Sequence, residues 1–172
     1  LNLPREIFLR REWTILALVL PGPKEPVALA LNNLLKPLVD DLKILERGIL
    51  ANVYGHDQLQ PVLMQMMFSS SDMPATRKIA GSYGHAAKYC CNHCRIKTSD
   101  LKTATAYDWK HLPLHEPAEL LKAAIKHRDS SPEERIRLEK KHGVRWSELV
   151  TLVGFEHSAF CPPDAMHNVA LG

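Results

Sequence analysis

The chain has 172 residues, 45% of them hydrophobic, enough to bury one core or two small ones and to exclude an intrinsically disordered protein. Its formal net charge is +3, a mild basic bias that permits contact with nucleic acid without requiring it. The longest unbroken apolar stretch, residues 15–20, falls far short of the roughly 20 residues a membrane span needs, so a soluble intracellular protein without membrane contact is expected.

The chain starts at Leu1 and runs straight into Asn2-Leu3-Pro4, a turn-like opening that suggests a start inside a domain. Residues 13–20 are apolar almost throughout and predict a central strand buried on both faces, stopped by Pro21-Gly22-Pro23. From Pro26 onward, Leu31, Leu34, Leu35, Leu38, Leu42 and Leu45 recur at helical spacing up to Gly48, with Pro37 expected to kink or break the helix. Its opposite face carries Lys36, Asp40, Asp41 and Lys43. Residues 49–54 and 59–68 are short apolar runs separated by Gly55-His56-Asp57-Gln58, a hairpin or strand pair. Ser69, Ser70 and Ser71 then lead to Asp72 and a helix through Ile79.

Beyond Gly81 the strand signals fade, and residues 117–128 and 132–142 both predict helices. The second has Ser131 as N-cap, Pro132 at the first helical position, Glu134 to complete a capping box and Gly143 as the stop. A boundary is placed near residue 81, between an α/β part over residues 1–80 and a mostly helical part over residues 81–172.

Several residues carry chemistry. Asp72, where a strand hands over to a helix, is placed to hold a divalent cation, and the same position suits a helix N-cap. Cys91-x-x-Cys94 has the spacing of a zinc knuckle but supplies only half of a tetrahedral site; His85, His93 and His142 are local substitutes for the other ligands. The alternative is a pair of inert buried thiols, and a thioredoxin-like redox site lacks its flanking βαβ units. Cys90, Cys91 and Cys94 are clustered too tightly for a secreted disulfide framework, which favours a reducing compartment, while Cys161 reads as a small buried hydrophobe. Asp164-x-x-His167 puts a carboxylate and an imidazole on one face of a short helix, suited to supporting a metal ligand or holding a DNA phosphate; equally, Asp164 is a cap and His167 faces the protein. Arg145 and Trp146 offer charge and stacking to DNA, although Trp146 also starts the apolar pattern of Leu149, Leu152 and Val153. Arg10, Arg11, Arg77, Lys78, Lys88, Arg95 and Lys97 are phosphate-binding candidates or simply solvated charges.

The string Leu20-Pro21-Gly22-Pro23-Lys24-Glu25-Pro26, followed by Leu34-Leu35-Lys36-Pro37-Leu38-Val39-Asp40, resembles transposases of CACTA (En/Spm-like) DNA transposons. Asp72-Met73-Pro74-Ala75 with Lys78-Ile79-Ala80-Gly81, His85 and Cys91-x-x-Cys94 resembles the next block of that family. His142-Gly143-Val144-Arg145-Trp146-Ser147-Glu148-Leu149 and Asp164-Ala165-Met166-His167-Asn168 resemble two more, in the family's order. The resemblance implies an RNase H-like fold with three acidic residues around two magnesium or manganese ions, with Asp72 matching the second acid. It places the first acid upstream and the third downstream of this chain, and the partners of the zinc-binding thiols in a downstream histidine pair.

The expected architecture is therefore α/β: an incomplete RNase H-like core followed by the start of a mostly helical, zinc-containing insertion. The expected function is part of a DNA transposase that cleaves and transfers strands at transposon ends, inactive alone, working in the nucleus as an oligomer on transposon ends and target DNA. The rivals are a noncatalytic zinc-stabilised module binding DNA or protein, and an unrelated metal-dependent hydrolase using Asp72, Asp164 and His167. An apolar strand over residues 13–20 without its neighbours would make the isolated chain aggregate or order only in part.

Overall fold

A computed structural model describes residues 4, 6–7, 10–20, 22–82, 84, 86–162 and 166. Among the described residues four α-helices and one two-stranded sheet are joined by 3-10 turns and long irregular connections: α1 (Ala28–Arg47), β1 (Ile49–Ala51), β2 (Gln60–Val62), α2 (Met73–Ile79), α3 (Pro117–Arg128) and α4 (Pro132–His142). Among the described residues no helix is long and apolar enough to cross a membrane.

Helix α1 buries Leu31, Leu35 and Val39 and half-buries Leu42, a stripe at three- and four-residue spacing. Pro37 does not break the helix, which runs through it. It lies on the exposed side, where a carbonyl left without its helical partner can bond to solvent, and the buried leucines around it hold the turns together. Gly48 closes the helix at φ 90°, donating its N–H to the Leu45 carbonyl at 3.1 Å.

The expected α/β architecture is not what forms. The fold is mostly helical, and its sheet is one antiparallel pair with Ile49 opposite Val62 and Ala51 opposite Gln60. Neither an RNase H-like core nor a zinc-holding insertion is present among the described residues. Pro61 lies in the middle of β2, opposite Leu50, and has no N–H to donate to the ladder. The expected central strand over residues 13–20 starts as a 3-10 turn (Arg11–Trp13) and continues as extended chain. No backbone hydrogen bond ties residues 15–20 to another described segment, and Ile15, Leu16 and Val19 are each more than 70% exposed. Apolar composition gives such a segment its extended shape; only a neighbouring strand with free N–H and C=O groups would make it part of a sheet.

The helices past residue 81 match their sequence signals closely. Ser131 accepts the Glu134 N–H at 3.4 Å, Pro132 opens α4, and Gly143 terminates it in the left-handed conformation at φ 73°. The Glu134 carboxylate binds Arg137 at 2.8 Å rather than turning back to the cap, so the capping box is formed on one side.

Two apolar clusters organise the interior. The larger joins Val39 of α1 and Ala80 to Leu149, Leu152, Phe160 and Cys161, with Leu42, Met66, Ile79 and Phe155 around it. The smaller packs Leu120 and Ala124 of α3 on Val144, beside Trp146. Polar bonds stitch the same junction: Arg145 N–H donates to the Gly81 carbonyl at 2.7 Å, and the buried Ser147 hydroxyl donates to the Ile79 carbonyl at 2.6 Å. Asn32, buried on α1, donates to the Trp146 carbonyl and accepts from the Glu148 N–H, both at 2.9 Å. Gly81 itself has φ +75°, and a Cβ there would come within 2.5 Å of the Arg145 carbonyl oxygen.

Candidate functional site

Asp72 is the N-cap of α2. Its Oδ1 accepts the Ala75 N–H at 2.8 Å, and the neighbouring Ser71 hydroxyl lies 2.9 Å from that of Thr76. The carboxylate is exposed, so one oxygen stays in water while the other satisfies a first-turn donor. Two-metal strand cleavage needs carboxylates from separate elements converging on ions about 3.5–4 Å apart. Among the described residues no group of three or more His, Cys, Asp or Glu side chains could hold a metal ion. The geometry at Asp72 thus fits a cap and does not by itself fit a catalytic metal centre.

The cysteines sit in a loop closed at several points. Lys88 and Thr98 are joined by a 3.0 Å backbone bond, Tyr89 bridges Lys97, and Cys94 bridges Leu114. At the loop's tip the Cys91 Sγ accepts the N–H groups of His93 and Cys94 at 3.3 and 3.5 Å. At Cys94, burial, reinforced by the nearby Cys91 and Cys90, raises the thiol pKa. All four cysteines, Cys90, Cys91, Cys94 and Cys161, line one cavity of about 390 Å³ next to the start of α2. The Cys161 thiol, buried in the larger cluster, is pushed up to about 11.

The pair Cys91 and Cys94 supplies two soft ligands of the four a structural zinc ion takes. His93 is half-buried in the same loop, and His142 ends α4; neither completes a metal-holding group among the described residues. Among the described residues the donors therefore do not make up a closed zinc site. His85, Asp164 and His167 lie outside the described residues.

Two histidines that no sequence motif singled out also stand beside Cys91. His115 donates from Nε2 to the Cys91 carbonyl at 3.1 Å and meets the Tyr89 ring edge-on at 6.0 Å. His157 is 4% exposed, packs edge-on against Phe155 at 5.0 Å, and its buried Nε2 has no hydrogen-bond partner. Burial, with the neighbouring His115 charge, pushes the His157 pKa down to about 4. Isolated histidines in loops have no spacing to betray them; only the fold brings these two beside Cys91.

Arg145 and Trp146 belong to the junction. Trp146 packs on the smaller cluster, takes the Arg128 guanidinium over its ring at 4.7 Å, and donates its indole N–H to Glu148 at 2.8 Å. Its backbone N–H donates to Nδ1 of buried His127, which fixes the proton on Nε2, directed to Glu139 at 2.9 Å. Of the other basic candidates, Lys78 is ion-paired with Glu25, whereas Lys88 and Arg95 both lie over the Tyr89 ring, at 5.3 and 5.5 Å.

A family model described as transposase family tnp2 matches residues 1–137, which include Asp72 and the cysteine loop, and the chain belongs to that family. Membership associates it with DNA transposition in general terms. No curated protein and no solved structure matches the chain.

Proposed function

We propose that the chain is part of a CACTA-type transposase and that its own share of the work is to bind DNA rather than to cut it alone. The observation that carries this reading is the family match over residues 1–137, within which the Leu20 to Pro26 block, the Asp72 block and the cysteine pair follow one another in the CACTA order. In the whole transposase the proposed activity is strand cleavage and transfer at transposon ends, in the nucleus and in an oligomer. Asp72 is the proposed second triad acid there, with magnesium or manganese supplied at the complete triad and zinc at Cys91 and Cys94. The cap geometry of Asp72 is compatible with that role, since its second oxygen is free to solvent. No reaction step is assigned to the chain itself, because a lone carboxylate cannot offset the dehydration of two divalent ions.

The test is a nuclease assay on supercoiled and transposon-end DNA with magnesium or manganese. No cleavage above background is expected. Robust cleavage abolished by Asp72→Asn would sink the reading, since it would require a full site in this chain. DNA binding by a cleavage-silent chain also suits the rival of a noncatalytic module descended from a transposase, and strand transfer restored by adding the remaining triad acids in a longer chain separates the two.

A further inference from the structure

We infer that a nucleic-acid backbone docks on a basic face that the fold assembles from the cysteine loop and the C-terminal ends of α3 and α4. This rests on the reading of the chain as a DNA-binding part of a transposase. The face joins segments about fifty residues apart. Lys88 donates its backbone N–H to the carbonyl of Lys140, in the last turn of α4, at 2.9 Å, which sets the loop directly on the helix end. Beside that contact, Tyr89 bridges Lys97 and lies under Lys88 and Arg95, Lys140 and Lys141 belong to the last turn of α4, and Lys126 of α3 is near enough to act with Lys141 on His142.

All six side chains are exposed, and none forms an ion pair with a described residue. Their neighbours register the charge. Arg95, hydrogen-bonded to the Tyr89 hydroxyl, lowers its pKa, and Lys88 adds to the effect. The imidazole of His142, whose pKa is lowered first by burial, is disfavoured further as a cation by Lys141 and Lys126. Two acids face the same groove, Glu116 and Glu119, and Glu119 is engaged with Lys122 at 3.2 Å. Cations therefore outnumber free carboxylates across the face.

The chemistry suits phosphodiesters better than an acidic peptide. Lysines act as mobile point charges that follow a phosphate row without reading sequence, and the half-buried Tyr89 ring gathers Lys88 and Arg95 over it, at 5.3 and 5.5 Å from its centroid. The helix ends add nothing against an anion except through these side chains, because a helix C-terminus carries partial negative charge. The lysines at the ends of α3 and α4 both stabilise their helices and reverse the sign of that local field.

The experiment is fluorescence-anisotropy titration of the whole chain with a random-sequence DNA duplex at several salt concentrations. Each lost phosphate contact lowers the slope of log K against log salt by about one unit. The triple variant Lys88→Ala, Lys140→Ala, Lys141→Ala is expected to flatten the slope by about three units and to weaken binding at least tenfold at low salt. Lys36→Ala, Lys43→Ala, Arg47→Ala on α1 removes the same charge elsewhere and is expected to leave the slope within about one unit. Replacing the same three patch lysines by arginine should keep the slope. An unchanged slope in the alanine triple, with normal duplex binding, overturns this face and leaves the transposase reading intact. A chain that binds no duplex at all overturns both, and preferential binding of polyglutamate over duplex overturns the choice of nucleic acid.

Discussion

Residues 15–20 and the junction around Gly81 are equally suggestive on paper and opposite in the folded chain. The first is an unbroken apolar run that lies extended over the surface, its outward side chains Ile15, Leu16 and Val19 in water and Leu18 and Leu20 resting in a groove of about 280 Å³ against Leu31, Leu35 and Ile79. The second is a short Ala-Gly-Ser string at the end of α2 that takes the Arg145 N–H on Gly81 and pairs Ser82 with Val144, beside the Ser147 bond to Ile79 and the Asn32 bonds that tie α1 to residues 146–148. Hydrophobicity measures what a segment gains if something covers it; the number of directed bonds and close backbone approaches measures what the fold depends on.

The sharpest break of that comparison is Gly81→Ala. Positive φ and a Cβ 2.5 Å from the Arg145 carbonyl oxygen force the backbone apart, with an expected loss of about 4 kcal/mol in urea unfolding. A loss below about 1 kcal/mol would show that the junction is not the fold's central fastening.

Next in size is an acid-sensitive term at His157. Its pKa falls from 6.5 to about 4 on folding, so the unfolded chain binds the extra proton and stability is full above pH 6.5. As pH falls through the interval from 6.5 to 4, roughly 3 kcal/mol should be lost from this group. His157→Leu should remove that slope from urea midpoints measured across the interval; retention of the slope would assign it elsewhere.

Truncating Val39, which is 0% exposed in the larger cluster, to Ala is expected to cost about 2 kcal/mol. The smallest effect belongs to the surface arm: Leu16→Ser and Val19→Ser should each change stability by less than about 0.5 kcal/mol while reducing self-association. If those substitutions cost as much as Val39→Ala, the arm is a structural element in solution and the contrast with the junction fails.

What could be read along the chain was set by interactions spanning four residues or fewer. The Asp72 and Ser131 caps, the Pro117 and Pro132 starts, the Gly48 and Gly143 stops and the leucine stripe of α1 all lie within a helical turn of the backbone groups they satisfy. The hairpin was legible from another signal, two apolar runs on either side of Gly55-His56-Asp57-Gln58, although its partners stand 9 to 13 residues apart. The expected sheet failed because a strand is defined by a partner, and nothing within residues 13–20 says whether one exists. Nor could spacing reveal that His115 and His157 lie beside Cys91, or that Lys140 meets Lys88. The transposase motifs and the helix boundaries thus come from sequence alone, whereas the exposed arm, the junction and the basic face were decided by tertiary packing, because each is a relation between surfaces contributed by distant segments.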